Sequence, residues 1–385
     1  MRLSKGFRGV LAATLSTAAL FALPGAASAQ NIKLGAVLSL TGGASFIGED
    51  QRSTLEMMAE QLNARGGING RKVDMIIYDD ASDPTKAVAA LRRLHEQDNV
   101  TAVIGGGISG NSLAMIPFTE KAQVPQLVPA ASGKISQPPK EWVFQYCNTD
   151  VQSVALALSF LKGKGINRIA MLADSTGYGV SGKVELERQA GPGKGFDVVA
   201  WETFGPADTD MTAQLSRIKA AGARAVIVWN ATPASAIIVK NARQIGLDAV
   251  QIHSTAFQSQ RMIQLSGEAI EGVFITGYKL PVIEQIPAND PQKKIITDYV
   301  AAFQKKYNKA PSAFGALVYD AFSSVTSVIQ KVGTDKAKIR ASLENLKGFP
   351  GAAGIYTTSK DDHNGFLVES MRMLVVEKGQ FRLAR

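Results

Sequence analysis

The protein has 385 residues, 45% hydrophobic and 19% charged, an ordinary globular composition with length enough for two domains with real cores. Its formal charge is +9, but no Lys/Arg cluster with interleaved aromatics goes with it, which argues against nucleic acid and leaves attraction to acidic ligands or an anionic membrane surface. A single cysteine, Cys147, excludes an intramolecular disulfide.

Residues 1–29 read as a signal peptide. Arg2, Lys5 and Arg8 form a basic n-region, residues 9–23 are apolar, and Ala27-Ser28-Ala29 follows Pro24 as an A-x-A cleavage site. About 15 apolar residues are too few to span a bilayer. No cysteine stands at the cleavage site, so no lipid anchor is expected. The mature chain is expected to start near Gln30, to carry +6 after losing the three leader cations, and to be free in a bacterial periplasm.

Beyond the leader, strands and helices alternate. A strand over residues 32–39 runs into the turn Thr41-Gly42-Gly43, which places Phe46 in a Gly-rich first loop. A helix over 50–65 carries Leu55, Met58, Ala59 and Leu62 at helical spacing and stops at Gly66-Gly67. After a strand over 72–78, Asp83-Pro84 reads as N-cap and N1 of a helix with Ala87, Val88, Leu91 and Leu94 on one face. A β-branched run over 100–104 ends in three glycines, and a Ser/Asn-rich turn opens an apolar helix. A second run over 125–129 ends in Ala130-Ala131-Ser132. Adjacent strands would thus bring small hydroxyl-bearing loops and a bare helix N-terminus together, the makings of a pocket for a small anion.

The pattern restarts after residues 146–150. A helix over 151–161 and a strand over 168–173 lead into further alternation through 225–229, 237–245, 250–254 and 272–277. A Pro-rich segment over 281–291 breaks it. Helices follow near 292–307, 312–331 and 335–346, and 371–376 with 380–383 reads as a hairpin around Lys378-Gly379. Strands separated by helices imply parallel βαβ units, and the length implies an α/β protein of two doubly wound lobes rather than one large sheet.

Residues 105–110 satisfy G-x-G-x-x-G between a strand and a helix, the outline of a dinucleotide fingerprint. The acid that should end the next strand is missing, since nothing acidic occurs until Glu141, so the glycines read instead as a close backbone approach to a small ligand. Hydrolase signals are absent: neither Ser109 nor Ser181 has glycines at both −2 and +2. His95, His253 and His363 are scattered; His95 lies on a charged helix facing solvent, and His253 ends a strand where it can line a cleft. No metal site, cofactor or catalytic residue is expected. Asp79-Asp80 reads as turn and capping residues. Residues 174–179, Asp-Ser-Thr-Gly-Tyr-Gly, repeat the strand-to-helix geometry in the second half, and Tyr178 between glycines is placed to close on a ligand.

The segments LGAVLSLTGGASFIGED, LNARGGINGRKVDMIIYDDASDP, VIGGGISG, PQLVPAAS, DSTGYG, DTDMTAQLSRIK, ARQIGL and YDAF, in this order, resemble the periplasmic solute-binding proteins of branched-chain amino-acid-type ABC importers, the Leu/Ile/Val-binding-protein family. The resemblance implies a periplasmic-binding-protein-like fold, two lobes joined by three crossovers near residues 148–150, 278–281 and 354–356 and closing like a flytrap on one solute. It implies lobes of 30–149 with 281–354 and of 150–280 with 355–385. The family's carboxylate-binding loop falls on Ser109, its Ala-x-Thr element on Ala130 and Ser132, its tyrosine on Tyr178, and a late-helix aromatic on Phe314. Ile47, Gly107, Ala131, Asn230, Thr255 and Phe257 complete the expected ligand set with Phe46.

One departure bears on the ligand. Amino-acid-binding members carry an acid for the ammonium after the strand that follows the Gly-Leu pair, and gapless extension from Gly246-Leu247 puts Thr255 there; Glu268 or Glu271 could serve instead. An unpaired buried ammonium costs several kcal/mol, so an aromatic or keto carboxylate is expected over an amino acid. The expectation is a monomer that captures a small organic carboxylate and delivers it to a membrane ABC permease. The alternatives are a branched-chain amino acid in the same transporter class, and a periplasmic sensor for a receptor kinase.

Overall fold

A computed structural model of the protein describes residues 30–191 and 193–385; the expected signal peptide lies outside them. The first lobe begins with β1 (Ile32–Leu38), α1 (Ser45–Ala64), β2 (Val73–Asp79), α2 (Pro84–Glu96), β3 (Ala102–Gly105), α3 (Ser109–Ala122), β4 (Gln126–Val128) and β5 (Val143–Gln145). Their sheet is parallel throughout, in the order β2-β1-β3-β4-β5. The apolar strands bury both faces, with Leu34, Ala36, Val37, Val103 and Ile104 fully enclosed, as a sheet covered by helices on two sides requires.

The second lobe takes α4 (Asp150–Gly163), β6 (Arg168–Asp174), α5 (Gly177–Ala190), β7 (Asp197–Phe204), α6 (Thr212–Ala220), β8 (Ala225–Trp229), α7 (Ala234–Gln244), β9 (Val250–His253), α8 (Gln260–Ser266) and β10 (Phe274–Tyr278). The chain then crosses back for α9 (Lys293–Tyr307), α10 (Ala313–Val332) and α11 (Lys336–Leu343), and α10 packs on α1 and β3 of the first lobe. A two-stranded ribbon of β11 (Phe349–Pro350) and β12 (Ile355–Tyr356) opens the last crossing, and β13 (Met371–Glu377) and β14 (Gln380–Leu383) add antiparallel strands to the second sheet. That sheet runs β14-β13-β10-β9-β8-β6-β7, so its parallel part repeats the strand order of the first. The hairpin turns at Lys378 and Gly379, both at positive φ.

The crossovers are bound to one another. Asn364 on the third donates its amide to the carbonyls of Gln145 (3.1 Å) and Cys147 (2.7 Å) on the first. The Tyr278 hydroxyl at the second donates to Asn148 on the first. Asp320 on α10 accepts the backbone N–H groups of Ala352, Ala353 and Gly354 and the Tyr356 hydroxyl, pinning the third crossover to the first lobe.

Two local expectations are corrected. α1 begins at Ser45, so Phe46 and Ile47 lie in its first turn rather than in a loop. Gly48, within the same helix, lies so close to the preceding turn that a Cβ there would stand 2.1 Å from the Ser39 carbonyl oxygen. His95 is half-buried with its ring edge-on to Phe118 at 5.8 Å, not solvated. Asp79 and Asp80 do hold turns: Asp79 accepts from Leu40, Thr41 and Ala81, and Asp80 from Ser82.

Candidate functional site

In a doubly wound sheet the strand order reverses between two neighbours, and loops leaving their carboxyl ends part to leave a crevice. The reversal falls between β1 and β3 in the first lobe and between β6 and β8 in the second. The loops from these four strands face one cavity of about 40 Å³ between the lobes.

On the first lobe's side, Gly107 lies against α1, where a Cβ would be 2.6 Å from the Gln51 amide oxygen, and Ile108 follows in extended conformation before α3. No side chain caps α3, so its first N–H groups stay available beside the Ser109 hydroxyl, which accepts the Ser132 N–H at 3.2 Å. Pro129, Ala130 and Ala131 continue the wall, with Ile47 from α1 and Phe314 and Leu317 from α10.

On the second lobe's side, Asp174 takes the N–H (3.0 Å) and hydroxyl (2.5 Å) of Thr176, and Thr176 in turn caps α5. This turn delivers Tyr178 to the cavity with its ring 5.7 Å from that of Trp229. The Tyr178 hydroxyl is buried and forms no well-aligned hydrogen bond, with the Ser254 and Thr255 side chains beside it. Burial and the nearby Asp150 carboxyl push the phenol well above its ordinary range, so it stays a neutral donor. Ala231, Thr255, Ala256, Tyr278 and Cys147 close this side, Cys147 and Tyr278 coming from the crossovers. Burial pushes the Cys147 thiol up to about 12, so it stays protonated while the cavity is closed.

The wall carries no charged side chain. Glu268 is exposed, and Glu271 accepts the N–H groups of Lys378 and Gly379 at 2.7 Å each, so neither meets the cavity. A buried acid, Asp150, spends its oxygens on Ser181, on the Trp229 indole and on the Gly133 backbone N–H. The lobes touch: a Cβ built on Gly177 would sit 3.3 Å from the Cα of Gly110.

Eight of the expected ligand residues meet at the cavity: Ile47, Gly107, Ser109, Ala130, Ala131, Tyr178, Thr255 and Phe314. Four do not line it. Phe46 points to an outer groove and meets Phe314 edge-on at 5.7 Å. Ser132 is fully buried and its hydroxyl donates to Ser181 at 2.8 Å. Asn230 spends its side chain on Thr232 and Ser235, leaving its neighbour Ala231 on the wall. Phe257 is buried on His253 at 4.5 Å, and His253, itself buried, does not line the cleft. Cys147 and Tyr278 were missed because a crossover carries no local sign of which side faces the cleft. Ile108 and Ala256, adjacent to Ser109 and Thr255, were within reach of simple extension.

A family model described as periplasmic binding protein matches residues 31–380. The chain belongs to the periplasmic binding protein family. Members are substrate-binding components that deliver small ligands to ABC permeases, not enzymes. The leucine-, isoleucine-, valine-, threonine- and alanine-binding protein of Pseudomonas aeruginosa is 30% identical over 323 residues, covering 82% of this chain and 83% of that one. Among solved structures, an extracellular ligand-binding receptor from Rhodopseudomonas palustris superimposes with a TM-score of 0.86 at 25% identity, over 92% of this chain and 99% of that one. A leucine binding protein from Thermotoga maritima does so with a TM-score of 0.79 at 25% identity, over 92% and 98%. No helix among the described residues of this periplasmic binding protein is long and apolar enough to cross a membrane.

Proposed function

We propose that the protein captures a small aliphatic solute bearing a carboxylate between its lobes and delivers it to an ABC permease. We assign residues 30–149 with 281–354 to one lobe and 150–280 with 355–385 to the other, and take the protein to act as a monomer in the periplasm. The observation that carries the reading is the pairing of an uncapped α3 N-terminus and the Ser109 hydroxyl with a buried Tyr178 hydroxyl, free of any well-aligned hydrogen bond, across a small apolar cavity. The first two suit a carboxylate, each charged hydrogen bond contributing about 1.5–3 kcal/mol. Tyr178 and Thr255 would hold the ligand's other polar group and gain that contact as the lobes close, which is what favours closure.

The ligand class we favour is a small aliphatic amino acid. The name of the P. aeruginosa relative, a leucine-, isoleucine-, valine-, threonine- and alanine-binding protein, supports it. This turns the reading away from aromatic acids. A second reading, a 2-keto acid of the same carbon skeleton, is favoured by the absence of any acidic side chain on the wall to pair with an ammonium. Calorimetry on the mature protein with L-leucine, L-valine, L-alanine, 2-ketoisocaproate and benzoate decides between them. Tighter binding of the amino acids supports the first reading and tighter 2-ketoisocaproate the second; tightest binding of benzoate overturns both.

A further inference from the structure

Ser132 has a residue type and position suited to ligand binding, yet all its polar groups are engaged elsewhere. Its N–H donates to Ser109 Oγ at 3.2 Å, its carbonyl accepts from the Gln145 amide at 3.1 Å, and its hydroxyl meets Ser181 on α5 of the other lobe at 2.8 Å. Ser181 donates its own proton to Asp150, whose second oxygen takes the Trp229 indole N–H at 3.1 Å. Above about pH 7, where Asp150 is ionised and only accepts, the chain has one direction, Ser132 to Ser181 to Asp150. The next residue on α5 supports the same geometry. A Cβ on Gly182 would stand 2.2 Å from the Trp229 ring, so only glycine lets α5 approach closely enough for Ser181 to reach Asp150.

We propose that the Ser132–Ser181 hydrogen bond is a latch between the lobes, held in register by Asp150, and that it sets the closed population independently of any ligand. Ser181 and Trp229 belong to the second lobe, and Asp150, at the first crossover, ties them to the first: its backbone N–H donates to the Ala131 carbonyl at 3.0 Å and its carboxylate accepts from the Gly133 N–H. Of these links the Ser132–Ser181 bond is the one made by two side chains, and opening the cleft breaks it while Asp150 keeps the acceptor oriented for re-closure. A charge-assisted neighbour strengthens such a chain beyond an isolated pair of hydroxyls. Ser132 and Ser181 are thus positioning residues for affinity, acting through closure and not by touching the solute.

The test uses Ser132→Ala, Ser181→Ala and the double variant of the mature protein. Small-angle scattering without ligand reads closure directly, and stopped-flow release of L-leucine reads its consequence. The latch predicts a larger radius of gyration in each single variant, leucine release faster by about three- to tenfold, and a double variant no worse than either single one, since all three lack the same bond. Ser132→Thr, which keeps a hydroxyl, should restore closure and serves as the control if Ser181→Ala folds poorly. A radius of gyration unchanged in Ser132→Ala overturns the latch, as does additive behaviour of the double variant in release. If leucine does not bind but the scattering shifts as stated, the latch stands and the ligand class proposed above falls.

Discussion

The contact of Gly110 with Gly177 offers the sharpest handle on closure. Gly177 is exposed and opens α5 without a left-handed backbone angle, so a side chain there strains nothing within its own lobe. A Cβ at 177 already stands 3.3 Å from the Gly110 Cα and 3.4 Å from its nitrogen. The methyls of valine reach about 1.5 Å further, and carbon atoms settle at about 3.5–4.0 Å. Gly177→Val therefore parts the lobes by about 1.5–2 Å there. That carries the Ser132–Ser181 pair from 2.8 Å out of bonding range and draws Tyr178 away from a bound solute. Losing two hydrogen bonds of about 1 kcal/mol each weakens binding by roughly 30-fold. Calorimetry with the tightest ligand of the panel measures this, and stability to thermal unfolding without ligand should fall by no more than about 1 kcal/mol, the worth of the one inter-lobe bond lost. An affinity within threefold of the parent refutes the closed geometry.

Three further outcomes follow from the same structure. Ser109→Ala removes one charged hydrogen bond and should weaken a carboxylate ligand by roughly 10- to 100-fold in calorimetry, and should also lower the unfolding temperature, because the buried Ser132 N–H loses its acceptor. Tyr178→Phe should act in opposite directions, stabilising the ligand-free protein by up to about 1 kcal/mol because a buried hydroxyl without a well-aligned hydrogen bond is removed, while weakening ligand binding; calorimetry and thermal melts on one preparation check both signs. Burial pushes both Asp150 and Asp320 up to about 7, against their hydrogen-bond donors. Between about pH 4 and pH 7 the folded protein then holds protons that the unfolded chain has released. Stability from these groups is present below about pH 4 and lost as pH rises through 7, so the melting temperature should fall across that window and fall less in Asp320→Asn. A melting temperature that rises through it contradicts protonated carboxyls.

Elements with local signals were legible in the sequence. Asp83-Pro84 caps α2 as its residue types dictate, with the carboxylate accepting the Lys86 N–H at 2.9 Å, and Lys378-Gly379 forms the hairpin turn. The fold class followed from alternation and length, and the loops after β3 and β6 announced themselves by their glycines. Side chains whose role depends on distant partners were not legible. Ser132 shows no local difference between reaching a ligand and reaching Ser181, 49 positions along the chain. Asn230 ends a strand as a ligand residue would, yet its amide is needed by the turn that follows. Phe46 was misplaced because the turn marked by Gly42-Gly43 ends sooner than the expected helix start at residue 50, α1 beginning at Ser45. Strands β5 and β7 were missed for a related reason: β5 spans three residues, and β7 is half-exposed with polar Asp197, Glu202 and Thr203 among its apolar ones.

The position of Cys147 gives the molecule a built-in clock. It is the one thiol in the chain, and in the closed protein it forms part of the cavity wall with only 3% of its surface exposed. A maleimide added to the unaltered protein must wait for the lobes to part, so while opening and re-closing outpace alkylation, the labelling rate is proportional to the open fraction. A saturating ligand should slow that chemistry by the same factor by which it depletes the open state, turning one buried sulfur into a direct count of how often the trap stands ajar.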